Sequence, residues 1–261
     1  MGLFFPDEKN YFPEERPAGF PRYKQVLERD WKRFFLVDLL TLGSLIPFGL
    51  GMGYAVLSSS VLVLIPVYIL GGLIAGPGIA GMYDMILRGL RDNVDDWWHS
   101  YKKAMKQNWK AALLPGVVMC LFLGFLIFAC AMLWWSTAPI TFGTVAILAA
   151  STLILSMVFS VWWPQIVLFD QRPGIQIKNC ILFCITYFRR TLGAAALQIL
   201  WWIVMVLFLP WSAFLVPFLG VWYILYLSVF LLYDQLNQAF RIEEQIGEAF
   251  PEQVPVYGDK E

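Results

Sequence analysis

Long apolar stretches alternate with short polar ones along the whole chain. Residues 34–82, 111–169 and 191–233 form three apolar blocks, each long enough for a helical hairpin across a bilayer. A tight uncharged turn sits inside each block: Ser58-Ser59-Ser60, Ser136-Thr137-Ala138-Pro139 and Pro210-Trp211-Ser212. The pattern predicts an all-α polytopic membrane protein. Its six transmembrane helices lie near 34–57, 61–82, 113–135, 142–169, 193–209 and 212–233, paired as three hairpins.

The segments between the blocks are periodic too. Over 97–109, Trp97, Trp98, Tyr101, Ala104, Met105 and Trp109 recur at helical spacing, while Lys102, Lys103, Lys106 and Lys110 fall on the other face. Such a helix is expected to lie in the headgroup layer, with Asp95 or Asp96 capping its start. A second connector repeats the plan, with Ile177, Cys180, Ile181, Cys184, Ile185 and Phe188 as its apolar stripe and Lys178, Arg189 and Arg190 as its basic flank.

Charge fixes the expected orientation. Lys and Arg number 7 before the first block, 6 after it, 4 after the second and 2 after the third, and the turns inside the blocks carry none. The positive-inside rule then places both termini in the cytoplasm. The first apolar block has no small-residue cleavage site after it and is expected to stay as a span. Composition agrees: charged residues are 15% of the chain, against about 25% in soluble domains. A net charge of zero gives no reason to expect a nucleic-acid partner; the implied partner is the lipid bilayer. Four Cys residues make no disulfide framework.

An internal repeat is visible at the block borders. Entries Trp31-Lys32-Arg33, Trp109-Lys110 and Phe188-Arg189-Arg190 stand 78 and 79 residues apart, and the exits are Tyr83-Asp84, Phe169-Asp170 and Tyr233-Asp234. The units would be 31–84, 109–170 and 188–234, inside one membrane domain of 31–237. A Pro- and aromatic-rich arm (1–30) precedes it and an acidic tail (238–261) follows. Any three hairpins with ends on one side would also carry aromatic and charged borders, and both readings stay open. The pairs Phe5-Pro6, Phe12-Pro13 and Phe20-Pro21 predict an extended arm.

Few residues suggest chemistry. Asp38 lies inside the first span, where a carboxylate is costly, and is either functional or paired with Lys32 or Arg33 near the charged end. Asp84, Asp170 and Asp234 would form a ring at the cytoplasmic mouth if the repeat holds, or simply end their spans in water. His99 is the only histidine and makes no metal site. Cys180 and Cys184 share a helical face that reads as packing. Gly72 and Gly76, followed by Ala80 and Gly81, form a small-residue stripe suited to close helix contact, with Gly49 and Gly53 as its candidate partner. Gly76-Pro77-Gly78 is expected to break the second span, with Pro47, Pro66 and Pro164 interrupting others. No phosphate-binding loop, nucleophile elbow, metal signature or cofactor motif is present in the sequence, and the chain is expected to be non-enzymatic.

The order Gly76-Pro77-x-x-Ala80-Gly81-Met82, Leu87-Arg88, Trp98-x-x-Tyr101-x-x-Ala104 and Lys106-Gln107-Asn108-Trp109-Lys110, with Trp31-Lys32-Arg33-Phe34-Phe35 upstream, resembles the YesL-like family of bacterial multi-pass membrane proteins, a domain of unknown function. The resemblance covers about residues 31–116. It implies an accessory role beside carbohydrate importers of the ATP-binding-cassette type, and no catalytic residues. Two functional classes follow. One is an accessory or scaffold subunit whose helix over 97–109 and connector over 177–188 dock on a permease or its ATPase. The other is a small transporter or channel lined by Asp38, Thr41, Ser44, Thr152, Ser156 and Gln198. A homo-oligomer is compatible with either.

Overall fold

The computed structural model describes residues 16–93, 96–136 and 141–249, and among these the only regular elements are helices. They are α1 (Phe20–Leu57), α2 (Val61–Leu90), α3 (Trp97–Trp135), α4 (Phe142–Leu168), α5 (Pro173–Thr186), α6 (Phe188–Leu207), α7 (Val216–Leu219), α8 (Trp222–Phe240) and α9 (Ile242–Ala249), with a 3-10 turn over Trp211–Phe214. Six units are long and apolar enough to cross a membrane: α1, α2, α3, α4, α6 and the combined α7–α8. The chain is a multi-pass membrane protein by that measure.

The bundle is organised around α2, whose residues are buried along most of its length. It packs on α1, α3, α4 and α8, and its largest contact is with α3 rather than with its hairpin partner α1. The cause lies in the glycines. A Cβ on Gly76 would stand 2.5 Å from the Ala112 carbonyl oxygen, and one on Gly116 would stand 2.5 Å from the Gly72 carbonyl oxygen. The two backbones therefore touch, as small-residue stripes allow in membranes. Gly49 and Gly53, the partner expected from sequence, face open space instead. Gly81 lies against the Tyr101 ring.

Several boundaries differ from the sequence expectation. α1 begins at Phe20, with Pro21 in its first turn, so the end of the expected arm is helical. Phe5-Pro6 and Phe12-Pro13 lie outside the described residues, as does the tail beyond 249. The helix expected in the headgroup layer is not a separate element: 97–110 is the first part of α3. The charge-free stretch 111–135 alone gives about 37 Å of helix, enough for a hydrocarbon core of about 30 Å. The preceding four turns, roughly, are continuous with that stretch in one helix that also contains Pro115. The expected proline breaks are absent. α2 runs through Pro66 and Pro77, α1 through Pro47 and α4 through Pro164, as membrane helices can when neighbours hold them. The actual discontinuity is at Gly220 and Val221, between α7 and α8.

The third hairpin is shorter than the others. Gln198 of α6 donates to Ser160 Oγ of α4 at 2.9 Å, which sets the two residues level. Beyond that level α4 extends about 27 Å to Phe142, but α6 only about 14 Å to Leu207. A second register agrees: the Trp222 N–H bonds Asp38 at 3.0 Å. From there α1 extends about 28 Å to Leu57, whereas the chain back to Trp211 reaches about 18 Å at most. The turn around Pro210-Trp211-Ser212 therefore ends roughly 10 Å short of the other two. Its Phe208, Trp211 and Phe214 are exposed.

Candidate functional site

The densest polar cluster is at the charged end, where α1 crosses the end of α2. Asp92 follows α2 with φ of 61°, a left-handed conformation that Asp tolerates better than most residues. This turns its carboxylate back beneath the helix. Asp92 Oδ2 accepts from Arg22 at 2.8 Å and from Arg16 at 3.1 Å, and Oδ1 accepts from Arg29 at 2.6 Å. The same guanidinium groups cap the helix. Arg22 donates to the Leu90 carbonyl at 2.7 Å and Arg29 to the Gly89 carbonyl at 2.6 Å. The last carbonyls of a helix lack intrahelical donors and carry its negative dipole end, so two guanidinium groups suit them.

The network extends outward. Arg29 also bonds Asp30, which is close to Arg33. Arg16 reaches Glu243 of α9, whose carboxylate also accepts from the Tyr233 hydroxyl of α8 at 3.0 Å. Arg91 is buried beside it, and burial lowers its pKa from the ordinary value against the opposing pull of Tyr233 and Asp84. Asp92 is wholly buried and Asp30 nearly so. A buried charge holds only if paired, so these residues form a latch joining α1, α2, α8 and α9.

None of the latch residues stands out from charge counting, which treats Arg16, Arg22 and Arg29 as orientation signals. A legible cue exists nonetheless. Arg22, Val26, Arg29, Asp30, Arg33 and Val37 recur at helical spacing, placing charge on the face that carries the apolar contacts.

Asp38 is fully buried, and its carboxylate serves the backbone. The break at Gly220 leaves α8 with unpaired N–H groups, and Asp38 Oδ1 accepts the one from Trp222. Trp201 of α6 donates its indole N–H to the Gly220 carbonyl at 3.1 Å, satisfying the other side of the break. Asp38 Oδ2 has no hydrogen-bond partner among the described residues. The pairing expected with Lys32 or Arg33 is replaced by this cap.

The carboxylates of the expected ring have unlike surroundings. Asp84 is buried and bonded to Arg88 at 2.7 Å, while Asp170 and Asp234 are exposed. Among the described residues no three His, Cys, Asp or Glu side chains gather as a metal site requires, so the three do not make a metal site together. His99 is exposed, and its backbone N–H is capped by Asp96 at 3.0 Å; Asp95 lies outside the described residues. The α5 stripe divides in two. Cys180 and Cys184 face inward with Gln176 and Phe183, whereas Ile177, Ile181 and Ile185 are exposed. Gln165 donates to Cys180 Sγ at 3.2 Å, and burial pushes the Cys180 thiol up to about 12 and Cys184 up to about 11.

The first turns of α3 present two faces. Tyr101 and Ala104 are buried, with Trp97, Met105 and Asn108 partly so, and Tyr101 packs on Gly81. Trp98, Lys102, Lys106 and Trp109 share the outer face, with Lys103 and Lys110 beside them, all exposed. Trp98 is 49% and Trp109 48% accessible, against the expectation that both anchor the apolar face. Lys110 stands 5.6 Å from the Trp109 ring centre, as Lys32 stands 5.8 Å from that of Trp31.

Of the polar residues considered for a pathway, Ser44 donates to the Thr41 carbonyl and Thr152 to that of Leu148, each within its own helix. Thr41 bonds the Val37 carbonyl of α1 and, at 3.3 Å, the Gly78 carbonyl of α2, and Gln198 bonds Ser160 between α6 and α4. No family model, curated protein or solved structure matches this chain.

Proposed function

We propose that this chain is a non-enzymatic accessory subunit of a bacterial cell-membrane assembly, with both termini cytoplasmic and the charged end as its docking side. The observation that carries this reading is the outer face of α3, where Trp98, Lys102, Lys106 and Trp109 stand exposed on its first turns. Aromatic side chains interleaved with cations suit a partner surface that is acidic and partly apolar. The latch at Asp92 supports the same reading, because it makes the charged end rigid. The particular assembly, a carbohydrate importer of the ATP-binding-cassette type, is assigned from the YesL-like resemblance alone.

The alternative of a small transporter needs polar side chains converging at mid-depth. Ser44 and Thr152 bond their own helices instead, Thr41 is taken up by the Val37 and Gly78 carbonyls, Gln198 by Ser160, and Asp38 caps α8. These contacts favour the accessory reading. Co-purification from native membranes in mild detergent, read by mass spectrometry, tests it. An importer permease or ATPase should appear in stoichiometric amount with the wild-type chain and with Asp38→Asn. It should be lost with Lys102→Glu, Lys103→Glu and Lys106→Glu combined, at unchanged melting temperature. Recovery of the chain alone, or a partner retained by the triple variant, refutes the proposal.

A further inference from the structure

A groove of about 840 Å³ runs between the first half of α1 and the broken third hairpin. Its walls are Trp31, Phe35 and Leu36 on one side and Phe218, Leu219 and Tyr223 on the other. Phe35 and Phe218 stack with ring centres 5.7 Å apart. The groove lies where span six is interrupted at Gly220, with Phe218 and Leu219 of α7 and Tyr223 of α8 on its wall. Its only charged lining groups are Glu28 and Lys32, on the side of α1 toward the charged end.

Those two groups are not equivalent. Glu28 already has a cation, Lys24, at 3.6 Å. Lys32 has no carboxylate partner among the described residues and stands over the Trp31 ring. The rim thus carries one uncompensated positive charge at the level where charged residues give way to apolar ones, and the walls below are hydrocarbon and aromatic. A ligand complementary to this arrangement has one negative headgroup and a long apolar chain.

We infer that the groove binds an anionic phospholipid, with its phosphate on Lys32 and an acyl chain along Trp31, Phe35 and Phe218. Burying the chain removes apolar surface on both sides from less complementary contact, and the charge-assisted bond to Lys32 fixes the headgroup. A zwitterionic headgroup such as choline brings a second cation to a rim whose one carboxylate, Glu28, is already held by Lys24, and is disfavoured. This site is independent of the docking face on α3, and its failure would leave that reading intact.

Native mass spectrometry of the full chain in maltoside micelles tests the site, with dioleoyl phosphatidylglycerol and dioleoyl phosphatidylcholine as probes. One saturable phosphatidylglycerol should bind, with phosphatidylcholine about tenfold weaker or more, in line with a hydrogen bond to a charged group. Lys32→Gln should lose about the same factor for phosphatidylglycerol, and Lys102→Gln none. Phe218→Ala should weaken the acyl contact while Lys32 keeps the headgroup preference. Equal binding of the two lipids, or unchanged binding by Lys32→Gln, overturns the assignment. A dimer that Phe218→Ala dissociates would assign the groove to a second copy and overturn it as well.

Discussion

Adding one methyl group at Gly72 should destabilise this protein, and adding the same group at Gly49 should not. Both positions are in helix interiors, where replacing Gly by Ala is worth about 0.5–1 kcal/mol of backbone entropy. At Gly49 nothing lies within 4 Å of the new Cβ, so that gain stands alone. At Gly72 the Cβ would meet α3 itself, 2.5 Å from the Val117 nitrogen and 2.7 Å from the Gly116 carbonyl carbon. These are backbone atoms and cannot rotate away. The helices must separate, which weakens the largest helix contact in the bundle. Overpacking costs about 1–3 kcal/mol, so Gly72→Ala should lose a net 1–2 and differ from Gly49→Ala by about 2. For a chain of this size that separates their melting temperatures by about 4–8 °C. Tryptophan fluorescence during heating in one detergent reads the difference, with Gly116→Ala expected to follow Gly72→Ala. If Gly72→Ala melts with Gly49→Ala, the α2–α3 backbone contact is wrong.

Three further outcomes follow from the charged end and the third hairpin. Asp92→Ala leaves the buried Arg22 guanidinium without its carboxylate, while Arg29 keeps Asp30, and should cost about 3 kcal/mol, the low end for a broken buried pair, read by the same melting assay; a loss below about 1 would remove the latch from the account. Cys180 and Cys184 hold their protons up to about 12 and about 11, whereas an unfolded chain releases them near pH 9. The folded state therefore binds more protons above pH 9, and stability should fall as pH rises through that window. Replacing both by Ala should flatten the fall, and an unchanged slope would refute the burial argument. Finally, in a chain freed of native cysteines, Ser59→Cys should react with a membrane-impermeant maleimide added from the side opposite the termini. Ala213→Cys, in the short turn, should not; equal labelling would place that turn at the far surface.

The helical class and the six apolar units are legible from the sequence because lipid enforces them. A stretch of 20 or more apolar residues has few alternatives once its backbone must be paired internally. A cap from Asp95 or Asp96 was legible because a short polar side chain just before a helix reaches its free N–H groups; Asp96 is the one that accepts from His99. What sequence periodicity misses is which helices touch. Gly72 and Gly76 announce a close contact, but Gly116 is one of many glycines in the spans, and nothing in its neighbourhood marks it as the counterpart. The same holds for the helix over 97–109. Its pattern is amphipathic either as a separate element on the membrane or as a projection of α3. The choice depends on packing against Gly81, which is 20 residues from Tyr101 in sequence. Asp38 was singled out correctly as a buried carboxylate, but its partner is 184 residues away on a helix break that no proline announces.

The short hairpin and the latch belong to one asymmetry. At the charged end α8 runs along the first half of α1, where Tyr226 stacks between Tyr23 and Phe34 and donates to the Tyr23 carbonyl. Glu243 of α9 then closes on Arg16. The third hairpin therefore makes its bonds to α1 on the same side of the molecule as the arginine cluster, and it ends before reaching the opposite turns. A threefold repeat with equivalent units would distribute that packing evenly, whereas here α2 takes the centre and the last unit is drawn toward the charged end. An element placed this way adds little to a path across the bilayer. It braces α1 and α2 at the charged end, the rigidity that the proposed docking role of Trp98 and Trp109 would require.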